Sequence, residues 1–245
     1  MTSRNSPLER ITDDLIARLK PLRFGPPVKF VYNPLIYARR PYRQYLARYG
    51  EGTREVVFFG MNPGPWGMAQ TGIPFGEVSL ARDWLKVADT VDKPDREHPK
   101  RPVLGFDCNR SEVSGRRLWG WAKDRFKTPD RFFARFFVAN YCPLCFMEDS
   151  GRNLTPDKLP ATGREPLLAI CDKAIRRVIE HFQPKLVVGI GRFAAARARA
   201  SLRGLDVQIG EILHPSPASP LANADWAGKA EAQLADLGIR VPGSR

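Results

Sequence analysis

Four short strand-like stretches divide this chain: Glu55 to Phe59, Phe136 to Asn140, Lys185 to Ile190, and Val207 to Leu213. Each has the length of a strand, and the first is of the kind buried on both faces. Helical spacing fills the gaps. Leu8 to Leu22 places Leu8, Ile11, Leu15, Ile16 and Leu19 on one face, and Arg164 to Phe182 does the same with Leu168, Cys171, Ile175, Val178 and Ile179. Val78 to Asp89, Gly115 to Phe126, Arg192 to Leu202 and Asp225 to Leu237 also read as helices. Strands alternating with helices predict an α/β fold, a parallel sheet covered on both faces. The composition has no break, so the 245 residues are expected to form one domain, 1–245, with its core at about 25–240. Residues 90–113, with Pro94, Pro99 and Pro102, read as a long surface loop of the functional or mobile kind.

In such a sheet, ligands bind outside the carboxyl ends of the strands. Three strand ends lead into polar loops: Gly60-Met61-Asn62-Pro63-Gly64, Asn140, and His214-Pro215-Ser216-Pro217. Asn62, Asn140 and His214 are therefore expected to face one crevice. Residues 59–77 hold five glycines and three prolines, which fits a plain connection, a phosphate cradle or the floor of a pocket. His214 is locked by two prolines, and rigid placement is what electrostatic catalysis requires. His181, near a helix C-terminus, reads as structural; His98, in the long loop, reads either way. Gly189-Ile-Gly191 resembles part of a dinucleotide loop, but Asp206 opens the following strand instead of ending it. A short strand-to-helix turn is the better account.

The formal net charge is +13, which points to a polyanionic partner, nucleic acid first and an anionic membrane surface second; an ordinary basic surface gives the same number. No apolar run approaches the length of a membrane span. Cys142-x-x-Cys145 raises a metal or iron–sulfur cluster, but Cys108 and Cys171 are isolated on either side, so ordinary reduced thiols are expected, with no metal and no cofactor. The N-terminus lacks a signal peptide and a basic cluster, so a bacterial cytoplasm is expected rather than a nucleus.

Gly60 to Glu77, Glu97 to Gly105, Glu112-Val-Ser-Gly115, Ser150 to Pro156 and His214-Pro-Ser-Pro217 together resemble the single-strand-selective monofunctional uracil-DNA glycosylase family, over about residues 31 to 238. The resemblance implies a three-layer α/β/α fold with a central four-stranded parallel sheet, and hydrolysis of the N-glycosidic bond of uracil, with 5-substituted uracils, in single- and double-stranded DNA. It implies that Asn62 positions water and His214 stabilises the departing base. Phe75 then stacks on that base, Asn140 reads its edge, and Gly60, Met61 and Gly64 form the pocket floor. An amide is no general base, so a dissociative path is implied. Lys100, Arg101, Arg116 and Arg152 are candidate phosphate contacts. The wedge segment, Ser216 with Ala218, Ser219, Pro220 and Leu221, departs from the family's Arg-Asn-Pro-Gln-like pattern. Leu221 is expected to part base steps, less effectively in duplexes. DNA is the expected partner of a monomer. Two other readings stay open at this point: a glycosylase drifted to xanthine or hypoxanthine, and a weakly catalytic damage-binding protein.

Overall fold

The structure, a computed structural model, describes residues 5–243. The chain opens with α1 (Pro7–Leu19), β1 (Phe30–Tyr32), α2 (Pro34–Tyr37), α3 (Arg39–Tyr49) and β2 (Val56–Gly60). After β2 come α4 (Met68–Thr71), α5 (Val78–Asp83), α6 (Val113–Phe126), α7 (Pro129–Phe133), β3 (Phe136–Asn140), β4 (Cys145–Met147) and β5 (Asn153–Leu154). The last part holds α8 (Ala161–Phe182), β6 (Leu186–Ile190), α9 (Arg192–Ser201), β7 (Gln208–Ile212) and α10 (Pro220–Asp236).

The main sheet has the order β3-β2-β6-β7 with every pair parallel. Helices α1, α8 and α9 pack together as one layer, while α5, α6, α7 and α10 form the other. β2 and β6 lie at the centre and are buried at every position, which is why they carry unbroken apolar sequence. The edge strand β7 instead alternates in burial. From β2 the chain runs outward to β3, then returns to β6 on the other side of β2. This reversal opens a crevice at the carboxyl ends of β2 and β6. The register sets Gly60 beside Asn140 and Ile190 beside Ile212, so the loops after β2, β3 and β7 leave the sheet at one level.

Several sequence expectations are corrected. α1 begins in a capping box, with the Ser6 side chain accepting from Glu9 N and the Glu9 carboxylate from Ser6 N, and it ends at Leu19 rather than Leu22. α5 stops at Asp83 rather than Asp89, because Lys86 takes a positive φ of 54° and turns Leu85 and Val87 into the core. α10 begins at Pro220, not Asp225, and is broken by extended backbone at Asp225. A second sheet, antiparallel β1-β4-β5, and the helices α2 and α3 went unpredicted.

Residues 90–113 run, as expected, as a long and mostly exposed loop, tied down at a few buried points. Val103, His98 and Cys108 are all buried there. His98 is structural: Nδ1 accepts from Lys100 N (2.9 Å), so Nε2 donates to the Asp149 carbonyl (2.9 Å). His181 is held to the Gly50 carbonyl (2.8 Å). All four cysteines are free and buried, and burial pushes the Cys145 thiol up to about 12. The two glycines at the end of β6 are explained by packing: a Cβ at Gly189 would lie 2.1 Å from Ala195 N, and one at Gly191 (φ +89°) would lie 3.1 Å from His214 Cβ.

Candidate active site

One cavity of about 400 Å³ sits at the carboxyl ends of the main sheet, within the range usual for small-molecule sites. Met61, Asn62, Gly64, Phe75, Asn140, His214 and Ser216 all line it. The crevice expected from strand topology thus brings the three sequence-distant polar residues together.

Gly60 lies behind this wall and makes it possible. A Cβ there would stand 2.4 Å from Asn140 Oδ1 and 2.5 Å from Phe75 Cε2, so glycine lets both side chains cross the end of β2. The place expected of Gly60, on the pocket floor, is therefore refined: it clears space for two side chains. Gly64 differs, since a Cβ there would meet nothing within 4 Å.

Phe75 adopts φ +54°, a conformation that costs a non-glycine residue roughly 1 kcal/mol or more and persists only when its surroundings impose it. Here they do. Glu77 N donates to the Phe75 carbonyl (2.7 Å), and Trp119 Nε1 donates to the Pro74 carbonyl (3.1 Å). On the far side α6 packs so closely that a Cβ at Gly115 would sit 2.0 Å from Phe75 O. The Phe75 and His214 ring centroids are 6.1 Å apart with the planes tilted by 43°, which makes them neighbouring walls of the cavity.

The Asn62 amide nitrogen donates to the Leu144 carbonyl (3.1 Å), which leaves Oδ1 as the acceptor. Asn140 Nδ2 lies 3.1 Å from Met68 Sδ, a weak acceptor that is readily exchanged for an oxygen. The His214 ring has no hydrogen bond to the protein among the described residues, and burial lowers its pKa to about 4. The imidazole is therefore neutral at neutral pH, a hydrogen-bond donor without charge.

The backbone around His214 is braced from two helices. Leu213 N donates to Gln233 Oε1 (2.7 Å), and Trp226 Nε1 donates to the Leu213 carbonyl (2.7 Å). Arg117, on α6, reaches the Pro215 carbonyl (3.0 Å), the Ser216 carbonyl (3.3 Å) and Asn223 Oδ1 (2.8 Å). Ala218, Ser219, Pro220 and Leu221 do not line the cavity. Ser219 caps α10 by accepting from Ala222 N (3.3 Å), and Leu221 is 58% exposed in the first turn.

Sequence reasoning gave no role to Arg117, or to Met68, Glu112, Ser114, Asn153 and Thr155, which also line the cavity. The Glu112 carboxyl caps α6 by accepting from Ser114 N and Gly115 N, while burial raises its pKa. Asn153 arrives on the two-residue β5, too short to leave a periodic signal. Among the candidate phosphate contacts, Arg152 pairs with Glu148 (3.8 Å) and Arg116 is exposed on α6. Lys100 and Arg101 line a separate cleft with Trp66.

Comparison with known proteins agrees with this geometry. The family model described as the uracil DNA glycosylase superfamily matches residues 47–235. The single-strand selective monofunctional uracil-DNA glycosylase of Rattus norvegicus is 53% identical over 227 residues, covering 92% of this chain and 82% of the relative. That of Bos taurus is 50% identical over 232 residues, covering 94% and 84%. The crystal structure of Pedobacter heparinus SMUG2 superposes with a TM-score of 0.66 at 15% identity, covering 93% of this chain and 97% of that one, a likeness of fold. This chain belongs to the uracil DNA glycosylase superfamily and, within it, to the single-strand selective monofunctional uracil-DNA glycosylases.

Proposed function

We propose that this chain hydrolyses the N-glycosidic bond of uracil, and of 5-substituted uracils such as 5-hydroxymethyluracil, in single- and double-stranded DNA. The observation that carries the reading is the convergence of Asn62, Phe75, Asn140 and a neutral His214 on one cavity. Base chemistry requires the nucleotide to leave the stack and enter such a pocket. Phe75 then stacks on the base, while Asn140 Oδ1 accepts from N3–H and its Nδ2 exchanges Met68 Sδ for O4. Adenine offers the opposite donor and acceptor order and is refused.

As the bond breaks, its electron pair leaves with N1 and negative charge spreads to O2. A neutral His214 N–H donates to that oxygen, and this bond strengthens as the charge grows. Asn62 Oδ1 accepts a hydrogen bond from water and holds its lone pair toward C1′. The water oxygen bonds to C1′, the proton it loses passes through solvent to the departing uracil anion, and free base and an abasic site result. No lysine lines the cavity among the described residues, so no amine is placed to form a Schiff base with the sugar; this supports cleavage without strand scission. The empty space beside Gly64 supports room for a 5-substituent.

The test is alkali-induced nicking of oligonucleotides carrying uracil, 5-hydroxymethyluracil, hypoxanthine or xanthine, single-stranded and paired. Release of the two pyrimidines, lost in His214→Ala and Asn62→Ala, is expected. Exclusive release of the purines would overturn the substrate assignment, and release surviving both substitutions would overturn the site.

A further inference from the structure

A second, open cleft of about 480 Å³ is lined by Trp66, Lys100, Arg101, Leu104 and Arg110 among others. Its walls are built rather than incidental. The Gln70 side chain is fully buried, and its Nε2 donates to both the Pro65 carbonyl (2.8 Å) and the Pro102 carbonyl (3.0 Å). Its Oε1 accepts from Leu104 N (2.7 Å). One side chain thus clamps the Trp66 loop to the Lys100–Leu104 segment. That segment is pinned again where Tyr32 donates to the Arg101 carbonyl (2.9 Å) and Arg101 Nε donates to the Gly151 carbonyl (3.0 Å).

Among the described residues, the charges in this cleft have no counter-ion. The Arg110 guanidinium carbon lies 4.5 Å from the Trp66 ring centroid and that of Arg101 lies 5.3 Å away. Among the described residues neither pairs with a carboxylate, the Arg110 guanidinium makes no hydrogen bond, and no Asp or Glu lines the cleft. An indole floor that orients guanidiniums, with a lysine at the rim, matches a phosphodiester backbone: stacking fixes the direction of the cations, and Arg101, which spends Nε and Nη1 on the Gly151 and Lys100 carbonyls, keeps Nη2 for a ligand beside the Arg110 fork. Gly64 lines the base cavity and Trp66 lines the cleft, so a single residue, Pro65, separates them along the chain.

We propose that the Trp66 cleft binds the phosphodiester backbone of the substrate strand beside the extruded nucleotide, as a subsite for single-stranded DNA. This rests on the glycosylase reading. A strand held there is gripped without a partner strand, which gives the protein purchase on single strands that a wedge cannot supply.

The experiment measures the affinity of the full chain for single-stranded oligonucleotides of increasing length carrying a non-cleavable uracil analogue, across a salt series. Arg110→Ala and Lys100→Ala are each expected to flatten the slope of log K against log salt by about 0.7, the value for one single-strand phosphate contact. Trp66→Ala should weaken binding of long oligonucleotides, and Trp66→Phe should restore it in part. Lys185→Ala serves as control, because Lys185 is exposed at the amino end of β6, away from both cavities. Unchanged slopes, or an equal flattening in Lys185→Ala, would overturn the subsite. A wild-type chain that releases no uracil from any oligonucleotide overturns the glycosylase reading instead, and this one with it.

Discussion

Asn62 donates its amide nitrogen to the Leu144 carbonyl across 3.1 Å, and that one bond decides which end of the side chain faces water. With Nδ2 committed, Oδ1 positions the nucleophile without a charge to take its proton. Asn62→Ala should therefore lower the single-turnover rate about 100-fold, the usual scale for lost positioning, with little change in affinity for abasic DNA. Asn62→Asp replaces the donor with an oxygen set against the Leu144 carbonyl, and should not exceed wild type. Rapid-quench kinetics on a uracil oligonucleotide reads both.

His214 makes a pH prediction. Its pKa is lowered by burial from 6.5 to about 4, so between those values the unfolded chain binds the proton that the folded chain refuses. Stability then rises with pH through this window, and the contribution is lost as pH falls from 6.5 toward 4. Urea titrations from pH 4 to 7 should show a smaller slope in His214→Asn than in wild type. The single-turnover rate should lack an inflection near pH 6.5, and His214→Ala should cost about 100-fold to 1000-fold at pH 7.

The four main strands and the crevice at their ends were legible in the sequence because Val56–Gly60 and Leu186–Ile190 are buried on both faces and carry no polar break. Asn62, Asn140 and His214 were legible because each stands at or just after the carboxyl end of a strand. The antiparallel sheet was not, since Asn153–Leu154 spans two residues and borrows its stability from tertiary packing. Nor were Arg117 and Gln70, whose work is done through carbonyl groups far away in the chain. The early end of α5 was hidden for a related reason: Leu85 and Val87 keep an apolar pattern while the backbone at Lys86 leaves the helix.

Gly60 and Gly64, four residues apart, should respond oppositely to added side chains. Gly60→Ala drives a methyl into Asn140 and Phe75, so uracil release should fall at least 100-fold, with a lower Tm. Gly64→Ala meets no atom, so its Tm should match wild type. The cavity nonetheless narrows, and Gly64→Tyr should depress kcat/KM for 5-hydroxymethyluracil at least tenfold more than for uracil. Parallel thermal melts and competition between the two substrates test this.

Arg117 holds the turn after His214 through two carbonyls and anchors Asn223 as well. Without its fork, the imidazole keeps its cavity but loses its fixed direction. Arg117→Ala should reduce kcat about tenfold with KM little changed. Arg117→Lys should recover less than half of the loss, since an ammonium cannot span the same three acceptors. Single-turnover kinetics with enzyme in excess on single-stranded uracil DNA separates this from a purely structural defect, which would lower the active fraction and leave the single-turnover rate constant unaltered.

Leu221 stands 58% exposed in the short helical segment before the break at Asp225, and Asn223 ties that segment back by donating to the Pro217 carbonyl (2.9 Å). An apolar side chain on a braced tip is suited to entering a base step, and it is short of the arginine found in the family pattern. Extrusion from a duplex must unstack and unpair a base, whereas a single strand requires far less. Wild type should therefore act faster on single-stranded uracil than on paired uracil. Leu221→Ala should slow the duplex reaction about tenfold and the single-strand reaction less than twofold. Equal rates on both substrates that survive this substitution would remove Leu221 from the extrusion step.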